Sequence, residues 1–195
     1  IGIYLAQMDT PLVRAMAATG ILPQREPVAF AADDFAARLA GLPLAHQPGE
    51  TFMYHLPDDV LRILIMRISG QPLDEFIAER LFAPLGMGDS GCFVPEGKLD
   101  RFTTCYFSQE APGAPLQPWD MAADRFARPP LFPNQLVSTA ADFLQFTAML
   151  LNRGEHQGRQ ILSPEAAALM TADQLDAGQK ALSPAPASTK QPTAR

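Results

Sequence analysis

From Pro57 to Gly86 apolar residues recur at helical spacing between proline and glycine stops, a pattern that predicts a helical hairpin. Proline suits a first helical position, because the N–H it lacks would have no partner there. Asp58 and Asp59 follow, matching the positive end of a helix dipole. Val60, Leu61, Leu64, Ile65 and Ile68 are expected to form the core face, and Gly70 to end the helix. A second helix is expected from about Pro72 to Phe82. Leu73, Phe76, Ile77, Leu81 and Phe82 would be its apolar stripe, with Glu75 and Glu79 outside and Pro84 and Gly86 as stops.

The rest of the chain is read the same way. Leu12, Val13, Met16, Ala17 and Ile21 carry helical spacing that ends near Gly20, and residues 33–41 read as a short helix stopped by Gly41. Residues 88–135 are rich in proline, glycine and isolated aromatics. They predict loops with two short strands, around 91–94 and 101–107. Thr139 and Asp142 have capping-box spacing ahead of a helix over 140–152 that stops at Gly154. Ser163-Pro164-Glu165 opens a last short helix through Met170. Beyond Asp176 little remains to bury, so residues 1–175 are expected as one partial domain and 176–195 as a disordered tail. The fold class is mainly α with few short strands.

A chain of 195 residues suffices for one core. Its net charge of -6 offers no basic patch for phosphates, so nucleic acid is not an expected partner. No apolar run is long enough for a membrane span. No His, Cys, Asp or Glu cluster has ligand spacing, so no metal and no cofactor are expected. Cys92 and Cys105 read as two unpaired thiols, a disulfide requiring export. No signal peptide pattern follows Ile1, and the compartment stays open.

Two blocks carry a family likeness. Residues 42–87 read LPLAHQPGETFMYHLPDDVLRILIMRISGQPLDEFIAERLFAPLGM, and residues 136–175 read LVSTAADFLQFTAMLLNRGEHQGRQILSPEAAALMTADQL. In order and spacing they resemble the serine β-lactamase / penicillin-binding-protein superfamily, in its class C and esterase branch. The resemblance implies the helical domain of that α/β fold, with its antiparallel sheet largely missing. It implies acyl transfer through a serine, on a small-molecule ester, amide or β-lactam. Tyr54, in P-G-E-x-x-x-Y with D-V-L beginning five residues on, matches the tyrosine that acts as general base and acid.

The serine and lysine of an S-x-x-K motif are absent from the chain, and neither a K-T-G nor an H-x-G triplet is expected within it, the third motif being expected beyond it. Leu56 replaces the Asn of a Y-x-N motif, which leans toward an ester substrate. His55 replaces a small residue, and Pro133-Asn134-Gln135 replaces a glycine-rich turn. Trp119 is a candidate for lining a substrate pocket. His46, His55 and His156 are expected as loop histidines, Ser138 as a local cap, and Ser69-Gly70 as a helix end. The expected function is thus part of a serine hydrolase that is inactive alone; the alternative is a non-catalytic binding module. Helices built to meet a missing sheet would expose apolar surface and self-associate.

Overall fold

The computed structural model describes residues 11–21, 31–52, 56–107, 115–120, 126–130 and 135–182. The first three helices form one packing unit: α1 (Pro11–Thr19), α2 (Ala32–Ala40) and α3 (Leu56–Ser69). Met16, Ile21, Phe35 and Ile63 are its buried centre, closed by Leu12, Leu39, Leu42 and Met66. α1 ends where the Ile21 N–H reaches back to the Met16 carbonyl at 3.1 Å, which turns Ile21 into the same cluster. Arg38 ties α2 to that end by donating to the Thr19 carbonyl at 2.7 Å.

α3 forms where its periodicity predicts but buries a different face. Ile63 and Met66 pack on α2, whereas Val60, Leu61, Leu64, Ile65 and Ile68 stay exposed, Ile68 by 78%. Periodicity shows that a helix has an apolar stripe, but the partner that covers it is chosen by non-local packing. Here α1 and α2 take the narrow side and the wide side is uncovered. Asp59 is buried and paired with Arg62 at 3.6 Å, one turn along the same helix.

The second hairpin arm is a rod in three parts: α4 (Leu73–Ile77), a π turn (Ala78–Phe82) and α5 (Ala83–Leu85). Its widening has a local cause. Pro84 has no N–H for the helical ladder, and its ring crowds the preceding turn. The Ala83 N–H bonds five residues back, to the Ala78 carbonyl. Phe82, Leu85 and Met87 then meet Met149 of α6 (Ala140–Leu151) in a second buried cluster, with Ile161 and Leu162 against it.

Strand is sparse among the described residues. β1 (Cys105–Phe107) pairs antiparallel with β2 (Gln117–Trp119), and β3 (Glu155–His156) with β4 (Arg159–Gln160). The stretch expected as strand from Arg101 is still 3₁₀ helix over Glu96–Arg101, and extended pairing starts at Cys105. Near 91–94 the backbone makes a single bridge, Gly91 to Val137, with hydrogen bonds of 3.0 and 2.8 Å. α7 (Pro164–Thr171) is capped by Ser163, whose Oγ accepts the Ala166 N–H. Residues 177–182, expected within a disordered tail, form a short helix, α8 (Ala177–Leu182). No described helix is long and apolar enough to cross a membrane.

Candidate active-site region

Tyr54 and His55 lie outside the described residues, but both sides of their segment are defined. On the approach, Gln47 and Glu50 close a turn on each other: the Gln47 N–H donates to Glu50 Oε2 at 2.9 Å, and the Glu50 N–H to the Gln47 carbonyl at 3.1 Å. On the exit, α3 begins at Leu56, two residues after Tyr54. A helix N-terminus carries partial positive charge, which favours an anion nearby. Asp58 and Asp59 in the first turn offset part of that field.

Trp119 is half-buried on β2, facing Cys105 across the register. It is not among the residues lining the cleft beside the polar cluster described next. That cleft, of about 630 Å³, lies between α4, the 88–103 loop and the head of α6, with Phe82, Cys92, Val94, Phe102 and Val137 as apolar lining. Asp74 and Glu75, also in its wall, follow the C-terminal end of α3. Tyr54 precedes the opposite end of a helix about 21 Å long.

A hydrogen-bonded cluster stands at the cleft edge. Asp142, buried in the first turn of α6, accepts from the Asp89 N–H and from the Ser90 hydroxyl, each at 2.8 Å. Ser90 and Ser138 hydroxyls are 2.8 Å apart. Because Ser90 gives its proton to Asp142, Ser138 is the donor in that contact. Asp89 faces outward and is held by Lys98 at 2.7 Å and by Arg101 at 2.8 Å.

Hydrogen bonds from Arg101 first, and then Lys98, hold the Asp89 carboxyl well below the usual carboxylate range. Its folded-state pKa is depressed, so the tie is fully present above the unfolded value of about 3.9. It fades as pH falls further, through the folded value.

Chemically this cluster is a tie and not a hydrolytic constellation. No imidazole faces either serine among the described residues: His46 is exposed on its loop and His156 sits on β3. Cys92, the thiol in the cleft wall, is pushed up to about 11 by burial, so it stays protonated and poorly nucleophilic near neutral pH. Both cysteines are free. No group of three or more potential metal ligands occurs among the described residues.

Ser138 is one residue short of the cap. Thr139 Oγ1 takes the Asp142 N–H at 3.1 Å, and the Asp142 side chain turns to Asp89 and Ser90 instead of closing a box. The capping spacing marked the right residue, and nothing local marked its distant partners. Ser69 behaves as a helix end, its hydroxyl accepting the Gln71 N–H at 3.2 Å.

The chain does contain one H-x-G triplet, His156-Gln157-Gly158, which the motif expectation overlooked. It is a two-residue hairpin turn between β3 and β4, with φ of 50° at Gln157 and 78° at Gly158. Turn geometry accounts for that glycine without any catalytic role.

The family model described as "Beta-lactamase" matches residues 10–186. Protein Rv1367c of Mycobacterium tuberculosis is 39% identical over 160 residues, covering 80% of this chain and 39% of that protein. Esterase EstB of Burkholderia gladioli is 39% identical over 77 residues, covering 40% of this chain and 19% of that protein. Among solved structures, "EstCE1, a hydrolase with promiscuous acyltransferase activity" superposes with a TM-score of 0.67 at 24% identity, over 80% of this chain and 44% of that one. The chain therefore spans about two fifths of the length of Protein Rv1367c, and less of EstB.

Proposed function

The chain belongs to the beta-lactamase family, within the serine β-lactamase / penicillin-binding-protein superfamily, and from that premise we propose that it is the tyrosine-bearing part of an ester-cleaving serine hydrolase. The observation that carries the reading is Tyr54 in P-G-E-x-x-x-Y, immediately before an amphipathic helix of the family's fold. Leu56 in place of an amide side chain, and the stretch shared with Esterase EstB, favour an ester over a β-lactam.

In this reading a serine from an S-x-x-K segment outside these residues attacks the ester carbonyl. Tyr54 takes the serine proton and returns it to the leaving alkoxide; it then deprotonates the water that releases the acyl group. A phenol of pKa about 10 serves as a base near neutral pH only beside cations that stabilise its anion. The motif lysine would supply that charge, and the N-terminus of α3 would add to it. Trp119 would offer the substrate an apolar wall.

By itself the chain has no motif serine or lysine and is inert. In a longer protein that carries them, Tyr54→Phe should lower kcat by about 10²–10⁴-fold while KM changes little. Undiminished kcat in that variant would remove Tyr54 from the chemistry.

The uncovered faces carry a further consequence. Val60, Leu61, Leu64 and Ile68 on α3, and Phe143, Leu144 and Leu151 on α6, are all exposed. Such surface favours association. Sedimentation velocity at rising concentration should show a growing share of species heavier than the 21.2 kDa monomer. A single monomeric boundary throughout would contradict it.

A further inference from the structure

α8 does more than end the described chain. Asp176 and Gln179 cap it reciprocally. The Gln179 N–H donates to Asp176 Oδ1 at 2.7 Å, and Gln179 Oε1 accepts the Asp176 N–H at 3.0 Å. That second bond fixes which way the Gln179 amide faces. Its Nε2 then points outward and donates to the Gly49 carbonyl at 2.8 Å, across 130 residues of sequence. Lys180 pairs with Asp173 and holds the helix against the segment before it.

Gly49 is the glycine of the Pro48-Gly49 turn, with φ of 83°, a conformation L side chains rarely adopt. It lies within the Gln47–Glu50 turn and five residues before Tyr54. One amide therefore locks α8 and reaches the turn that leads to the tyrosine.

We propose that residues 176–182 are a releasable strap that docks on the Pro48-Gly49 turn through Gln179 and sets the position of the segment leading into Tyr54. The catalytic consequence rests on the role proposed for Tyr54; the strap itself does not. Gln179 acts here as a positioning residue, through its bond to the Gly49 carbonyl. The Gln179–Gly49 bond is a neutral hydrogen bond between surface groups, and losing it shifts such an equilibrium by about five-fold. A partner that engages α8 would therefore also act on the turn.

Gln179→Glu separates the two functions of the side chain. A carboxylate keeps the acceptor that caps α8 but loses the donor to Gly49. The test is amide hydrogen exchange, resolved by residue, in the 195-residue protein and in Q179E and Q179A. In Q179E the bonded amides of Gln47 and Glu50 should exchange about five-fold faster, with α8 and α6 amides unchanged. In Q179A the α8 amides should quicken as well. Unchanged exchange at Gln47 and Glu50 in Q179E would overturn the strap. So would acceleration there that appears equally in α6, since that reports global loosening. The readout involves no chemistry at Tyr54, so its failure is separable from failure of the hydrolase reading.

Discussion

Gly154→Ala is expected to lower the unfolding free energy by about 3–5 kcal/mol. Two costs add at that position. The backbone of Gly154 has φ of 87°, and a Cβ there would lie 2.2 Å from the Leu162 carbonyl oxygen and 2.9 Å from its carbon. Both atoms are backbone, so no side chain can swing away. The neighbourhood cannot move cheaply either. The Gly154 N–H closes α6 on the Met149 carbonyl at 2.8 Å, and its own carbonyl accepts from Ile161 at 2.8 Å and Leu162 at 3.2 Å. Met149 and Leu162 belong to the second buried cluster, so a shift in this turn propagates into the core. Gly158→Ala is the matched control: φ is 78° and nothing lies within 4 Å of the added methyl. It should cost only the conformational strain, about 1–2 kcal/mol. Urea unfolding of the two variants reads the difference, and equal midpoints would contradict the clash.

Asp142→Ala is expected to cost about 3 kcal/mol, because it strips a buried acceptor from two donors at once. The Asp89 N–H and the Ser90 hydroxyl would lose their carboxylate, and the Asp89–Ser90 segment would lose its hydrogen-bonded tie to α6. Asp142→Asn keeps one acceptor oxygen in nearly the same place and should cost roughly half as much. Ser138→Ala should cost less than about 1 kcal/mol, since that hydroxyl is exposed. This ranking, measured by urea unfolding, distinguishes a buried anchor from an exposed hydroxyl. Asp142→Ala and Ser138→Ala of equal effect would mean that the carboxylate is no anchor.

The sequence disclosed those features that are settled within one turn of backbone. Helix positions followed from periodicity and stops: α2, α3, α6 and α7 begin and end within a residue or two of where their caps and glycines lie. What depends on distant partners was not legible. The α3 stripe was expected inward and faces outward, because α1 and α2 reach it from the Ile63 side. Asp142 was seen as half of a cap, while its actual partners lie 52 and 53 residues away. α8 escaped notice since six residues of Ala, Gly, Gln, Lys and Leu carry no stripe, and the Asp176–Gln179 box alone defines it.

The candidate site divides along the same line. Periodicity and spacing alone left Tyr54 an ordinary tyrosine before a helix, and the family resemblance gave it a role. Ser90, Asp142 and Cys92 sit beside a cleft that could pass for a catalytic one. Geometry argues otherwise: the Ser90 proton is committed to the buried Asp142 carboxylate, and the thiol is held protonated by burial.

In the proposed reading these residues carry the acid–base tyrosine of a serine hydrolase without its nucleophile. Intact-mass measurement after treatment with a fluorophosphonate ester, run beside p-nitrophenyl acetate hydrolysis, tests it most directly. No adduct on any serine of this chain and no turnover above buffer are expected. A stoichiometric adduct on one serine, Ser90 or Ser138 for example, with turnover abolished by Tyr54→Phe, would contradict it.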